Sequence, residues 1–334
     1  LTRLRRSSPA ALPVATAFVL AALAWPLRDA YAQGGLAKEG ALFLLLPVGA
    51  RSVGMGEAVV AGEPGSEGIW ANPASLARLS MRELALNHSS SLTGKLDAFV
   101  FVLPEGRAGV FSAAAYYLDY GAQDNTDQFG NVIGSSGPKN LIFAASYGAT
   151  FGSHVRAGLT AKFMQDRLDC SGDCTNVASH SVGGFAYDLG VQVSADSAGR
   201  LNLGAAVRNL GQPLQINDVA QADPLPSRVH LGAQYLLPSV ERAVKGAELR
   251  VSAEVLSTLG LDQASWRAGG EFAYLKQFFL RAGFQYGNGN DPTGASIGVG
   301  YQSRTLSIDF ARITGGISAD QGQPPTYVTI RFRF

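Results

Sequence analysis

Cys170 and Cys174 enclose Ser171-Gly172-Asp173 and are the only cysteines in the 334-residue chain. In an oxidising compartment, so short a spacing closes a disulfide when the turn brings the two α-carbons within range. Zinc would need further ligands, and a nearby His180 does not complete a set of four. Two oxygen-rich clusters, Asp124-Asn125-Asp127-Asn131 and Asn288-Asn290-Asp291, carry ligand types that calcium uses. Neither follows the EF-hand spacing, so solvated turns are the expected reading. His88, His154, His180 and His230 have no serine or cysteine nearby in the pattern of a nucleophilic site, and no phosphate loop or dinucleotide fingerprint is present. Glu248 and Glu254 fall on one face of a strand, where a charge network explains them better than hydrolysis does. No enzyme and no cofactor is expected.

The elements that position these residues alternate with period two. In the last eight residues, Val328, Ile330, Phe332 and Phe334 fall on one face and Tyr327, Thr329, Arg331 and Arg333 on the other. The pattern recurs through about fourteen segments from residue 83 to 334. Among them, 139–151 and 153–166 are joined by a tight turn, whereas 119–138, 167–179, 210–226 and 314–325 are long polar joins. A soluble sandwich could end in such a strand. Short and long joins that alternate, with one apolar face on nearly every segment, instead describe an all-β transmembrane antiparallel barrel with long loops outside and short turns on the periplasmic rim. Both chain ends then lie on the periplasmic side of a bacterial outer membrane.

In such a barrel the charged faces point inward. Arg156, Lys162, Arg250, Glu254, Glu271, Arg281 and Asp309 form the expected lumen network, with Arg208, Arg228, Glu248, Arg267, Arg331 and Arg333 on the same face. Mixed signs suit cross-strand ion pairs, although they could also line a hydrated passage. Tyr116, Tyr117, Tyr147, Trp266, Tyr274 and Tyr301 are candidates for interfacial girdles or for ordinary packing. The Gly183-Gly184 and Gly269-Gly270 pairs could let a strand bend.

The N-terminal quarter reads differently. Residues 1–32 carry Arg3, Arg5 and Arg6, then an apolar run from Ala10 to Ala24 and small residues before Gln33, which reads as a secretory signal or, less simply, an anchor. Without the four arginines and one aspartate of this segment, 23 basic and 25 acidic residues remain, which gives nucleic acid nothing to bind. Residues 33–82 do not alternate. Ala41-Leu42-Phe43-Leu44-Leu45-Leu46 is stopped by Pro47; Gly49, Arg51, Gly54, Met55 and Gly56 follow; then come Trp70, Asn72 and Pro73. Proline and glycine at these positions favour a compact insert over a long helix, and we read it as a plug or hatch in a barrel formed by 83–334. A periplasmic linker is the alternative. Glu57, Glu63 and Glu67 are its expected partners for inward arginines.

Gly49-Ala50-Arg51, Gly54-Met55-Gly56 and Asn72-Pro73-Ala74-Ser75-Leu76-Ala77, followed by alternating hairpins, resemble the PorV/PorQ family within the FadL-like group of outer-membrane proteins. Glu57 and Ser75 stand where that family more often has glycine. The resemblance implies fourteen strands with N-terminal material in the lumen. It also implies either of two functions: passage of a fatty-acid-like hydrophobic solute, as in FadL, or non-enzymatic handling of an exported protein, as in PorV. Passage would need a continuous apolar pocket or a side opening near a bent strand. Phe332 and the terminal Phe334 resemble the signal read by the barrel-assembly machinery. Expected partners are outer-membrane lipid, that machinery, and a hydrophobic solute or exported protein, around a monomeric barrel.

Overall fold

The computed structural model describes residues 39–91, 94–174, 180–215, 222–259, 264–287, 293–315 and 324–334. The signal segment and the Asn288-Asn290-Asp291 cluster lie outside the described residues. Among the described residues no helix is long and apolar enough to cross a membrane; strands make the wall.

The described residues form fifteen strands: β1 (Glu83–Ser91), β2 (Gly94–Pro104), β3 (Val110–Asp119), β4 (Gln123–Thr126), β5 (Val132–Phe151), β6 (Val155–Gly172), β7 (His180–Ser194), β8 (Leu201–Gly211), β9 (Arg228–Leu236), β10 (Ala247–Thr258), β11 (Ala264–Tyr274), β12 (Phe278–Tyr286), β13 (Gly294–Gln302), β14 (Leu306–Ile313) and β15 (Thr326–Arg333). Each pairs antiparallel with its neighbour, except that β3 pairs directly with β5. The first strand pairs with the last from Glu83↔Arg333 to Ser90↔Thr326, which closes the ring and leaves the wall without an edge. Fourteen strands form this wall, as the alternation implied. The fifteenth, β4, hooks onto the far end of β5.

That end is where the sequence misled. Residues 132–138 and 167–172 read as loop because serine, glycine and Pro138 dominate one side and charges the other. Instead β5 and β6 stay paired from Gly134↔Gly172 onward, as an arm beyond the roughly ten residues a strand needs to cross a bilayer. Pro138 has no N–H to donate, but its carbonyl still accepts from Tyr120 N at 3.3 Å, and the arm needs no apolar face. Cys170 and Cys174 form their disulfide at the tip of this arm, with α-carbons 6.1 Å apart. Asp127 closes a turn: its carboxylate accepts from Phe129 N, Asn131 N and Asn131 Nδ2, and these hydrogen bonds hold its pKa below the usual aspartate value.

At the other rim the joins are short, except between β9 and β10, where Pro238–Ala243 forms a helix of 6 residues. Leu275 and Lys276 both take positive φ (54° and 56°) in the three-residue turn between β11 and β12, a left-handed pair closed by Gln277 N donating to Tyr274 O at 3.1 Å. The chain from Ala41 to Leu79 is different in kind. It makes 3₁₀ turns at Leu42–Leu45, Gly65–Glu67 and Pro73–Arg78 and short helices at Ala50–Gly54 and Gly68–Ala71. It packs against the inward faces of β5, β6 and β7 on one side and β12 to β15 on the other.

Candidate functional site

A row of inward-facing glycines seats this segment. A Cβ on Gly158 would overlap the Pro73 backbone, one on Gly190 the Asn72 side chain, and one on Gly204 the Val60 carbonyl. On the opposite wall, Gly269 lies against the Met55 carbonyl, Gly283 against Met55 and Gly56, and Gly298 against Gly54 Cα. Gly148 pairs with Gly158, Gly158 with Gly190 and Gly269 with Gly283, so they lie at one level of the barrel. The sequence shows them as glycines recurring in the inward phase of successive strands, a signal easily missed because glycine carries no polarity. Gly269 of the Gly269-Gly270 pair therefore serves close approach. The β10–β11–β12 ladder runs through it unbroken, as the β6–β7 ladder does through Gly183-Gly184.

Charge holds the segment on one side. Arg51 donates from Nε and one terminal nitrogen to Glu271, each at 3.1 Å. Arg281 links Glu271 (2.7 Å) to Asp309 (2.6 Å), and Arg331 links Asp309 to Glu67. Glu67 also accepts from Ser52 N at 2.7 Å and Ser52 Oγ at 2.5 Å. Arg250 adds Glu248 at 2.6 Å and lies 3.6 Å from Glu271, while Arg333 closes on Glu83 at 3.0 Å. A second group joins Glu57 to Arg267 at 3.3 Å, and places Glu254 against His230 Nδ1 at 2.7 Å and Val60 N at 2.9 Å. Lys162 and Asp188 form a third, at 2.6 Å. The charges are thus mutually paired and largely buried, as a network and not as the lining of open water. Two expected members stand elsewhere. Arg156 is half-buried and donates to Ser194 Oγ at 3.2 Å, and among the described residues it forms no ion pair with a carboxylate. Glu63 is exposed and pairs with Arg78 of the segment itself at 2.5 Å.

The other side of the lumen is apolar. Phe43, Leu44, Val48 and Trp70 pack against Leu96, Val100 and Val102 of β2, Tyr116 and Leu118 of β3, and Ile142 of β5. Tyr116 is 2% exposed and turned inward, 6.0 Å between ring centroids from Trp70, so it is no girdle residue; Tyr147, Trp266, Tyr274 and Tyr301 do face outward. Met164, Leu214 and Leu225 continue the apolar lining. On the outer face of the same wall, Leu86, Phe99, Ala115, Tyr117, Leu141 and Ile330 border a groove of about 440 Å³. The strands between groove and lumen keep an unbroken ladder from β1 to β5. The wall's one register break among the described strand pairs β5 to β15 lies at Tyr187/Leu189, where Arg208 and Asn209 of β8 together face Asp188. Beside it are two small cavities of about 30 and 10 Å³, room for a few waters at most.

No protein-family profile and no curated protein matches the chain. Solved structures do. The toluene transporter TbuX of Ralstonia pickettii superposes with a TM-score of 0.62 at 15% identity, over 87% of this chain and all of that one. The CymD monoaromatic hydrocarbon channel gives 0.58 at 12%, over 87% and 98%, and the P. putida toluene transporter TodX 0.57 at 13%, over 87% and 99%. The fold is that of these transmembrane channel barrels. At such identities the likeness concerns the architecture: fourteen wall strands and an N-terminal segment ahead of them. In this barrel, the residues that suggested the PorV/PorQ branch have packing duties. Asn72 caps the turn Pro73–Arg78 by accepting from Ala74 N at 3.0 Å, and Gly54 and Gly56 meet wall backbone.

Proposed function

We propose that this chain is a bacterial outer-membrane channel of the FadL type that passes small hydrophobic solutes, and that residues 33–82 are its hatch. The apolar half of the lumen carries the reading. A general porin needs a polar lumen, whereas here Trp70, Tyr116 and Phe43 meet inward valines and leucines, a lining that solvates an aromatic hydrocarbon and repels ions. TbuX and TodX bear the name of toluene transporters and CymD that of a monoaromatic hydrocarbon channel, which supports the same solute class. Handling of an exported protein rests only on the glycine and Asn-Pro motifs, which the packing already employs. The reading is of a passage and not of an enzyme.

Trp70 is the natural reporter. In mature Trp266→Phe protein, toluene should change Trp70 emission saturably. Expression in a host without such channels should raise toluene uptake, and the bilayer-reconstituted barrel should stay closed to ions. Leu118→Arg, which places a charge in the apolar sector, should reduce uptake at least tenfold. A large ion-conducting pore from the intact chain, or uptake that Leu118→Arg leaves unchanged, would overturn the proposal.

The proposed partners are outer-membrane lipid and the assembly machinery, with a monomeric barrel. Phe334 (63% exposed) and Phe151 (59% exposed) differ little in the surface they offer lipid. If Phe334 is also an assembly signal, its deletion should lower outer-membrane levels several-fold, while Phe151→Ala lowers them little. Equal levels would remove that role.

A further inference from the structure

We propose that the small cavity enclosed by Arg208, Arg228, His230 and Arg267 binds one monoatomic anion, chloride in the cell. The cavity depends on the N-terminal segment lying in the lumen, as the proposed function has it, and its occupant is independent of which solute passes. The cavity, of about 10 Å³, is lined by these four residues with Leu45, Asn209 and Leu256; no carboxylate lines it. Glu39 reaches Arg228 at 2.5 Å and Glu57 reaches Arg267 at 3.3 Å, each without lining the cavity. Two polar atoms of these lining residues are buried with no hydrogen-bond partner, Arg208 Nε and His230 Nε2; Arg208, His230 and Arg267 also border the neighbouring cavity of about 30 Å³, which Glu57, Glu67 and Glu254 line as well. A buried donor left unmade is costly, and an anion satisfies the guanidinium donors in the dry interior at charge-assisted strength.

The local backbone is built to present Arg208. Leu189 opposes Val207 and Tyr187 opposes Leu210, so Asp188 alone faces the two residues between. This bulge, with Asn209 at φ 59°, lets Asn209 accept from Lys162 Nζ at 2.9 Å and donate its N–H to Asp188 at 2.8 Å. Arg208 is thereby left for the cavity. Re-aiming a side chain is what a bulge does.

Charge balance adds a proton. Arg208, Arg228 and Arg267 are offset by Glu39, Glu57 and Glu254, so an added anion calls for one more cation. His230 supplies it. Its Nδ1 faces Glu254 at 2.7 Å, and a proton on Nε2 would then point at the anion. Anion affinity should rise as pH falls. The competing occupant is a water that accepts from Arg208 Nε and donates to a neutral His230 Nε2.

Bromide separates the two. Crystals of the mature protein grown in sodium bromide should show an anomalous peak between Arg208 and His230. The thermal midpoint should be higher in bromide than in sodium gluconate of equal ionic strength, gluconate being too large to enter, and the difference should be greater at pH 6 than at pH 8. Arg208→Gln should abolish the difference and Arg208→Lys, which keeps the charge but lacks Nε, should diminish it. If neither variant folds, the wild-type peak and midpoints decide alone. No peak there, a peak only elsewhere as an adventitious ion, equal midpoints in the two salts, or a difference that Arg208→Gln retains would each assign the cavity to water and overturn the proposal.

Discussion

A barrel carrying Gly283→Leu is expected to conduct ions in a planar bilayer where the parent stays closed. Gly283 faces the lumen, and the atoms a side chain there would meet are Gly56 N, Gly56 Cα and the Met55 carbonyl carbon, all backbone. Backbone cannot rotate aside as a long side chain can, so the strain must be relieved by lifting the segment near Met55 off β11 and β12. Overpacking costs about 1–3 kcal/mol even where side chains give way. Here the same displacement also draws Arg51 from Glu271, whose two hydrogen bonds at 3.1 Å need the helix Ala50–Gly54 in place. Gly270→Leu is the internal control. Gly270 is on β11 beside Gly269 but in the outward phase, and the nearest atom to a Cβ there is Arg250 O at 4.0 Å. That variant should fold, insert and remain closed. If Gly283→Leu is as silent as Gly270→Leu, the glycine row does not seat the segment.

How far the sequence shows this arrangement depends on what each residue signals by itself. Outward faces are plain, because lipid demands an apolar residue at every second position and strands such as Phe278–Tyr286 comply. The arm made by β5 and β6 is hidden: surrounded by water, it needs only backbone pairing, and Ser135-Ser136-Gly137-Pro138 looks like a turn. The glycine row is half-legible, since its phase is visible but its partner, the N-terminal backbone, is not. Tyr116 misleads because a tyrosine near a strand end fits an interfacial girdle. What betrays its direction is the neighbouring run Ala98-Phe99-Val100-Phe101-Val102-Leu103, apolar in both phases. A wall strand apolar on both faces must have something apolar inside, and here that is Trp70 and Phe43. Opposite faces of the lumen thus demand opposite chemistry from the same fold. Strands β2 and β3 offer the segment hydrocarbon, and β11 to β15 offer it charge, so it is held by ion pairs along one side and lies against a solute-compatible surface along the other.

The charged side has one centre. Arg331 is 2% exposed and meets three carboxylates: Glu67 of the segment, Asp309 of β14 and, at 3.7 Å, Glu83 of β1. In Arg331→Met, Asp309 keeps Arg281 at 2.6 Å and Glu83 keeps Arg333 at 3.0 Å. Glu67, 1% exposed, keeps only Ser52 and the Arg51 amide, with no cation. Removing one partner of a buried pair costs about 3–5 kcal/mol, because the remaining charge stays out of water. Arg331→Met should therefore lower the urea midpoint of the lipid-reconstituted barrel far more than Arg156→Gln, which loses a half-buried contact to Ser194 and should cost about 1 kcal/mol or less. Adding Glu67→Gln to Arg331→Met should recover part of the loss, since the amide removes the uncompensated charge while still accepting from Ser52. That recovery would identify Glu67 as the latch between segment and wall. Equal midpoints for Arg331→Met and Arg156→Gln, or a double variant weaker than Arg331→Met alone, would mean that the segment is held by its glycine contacts and apolar packing instead.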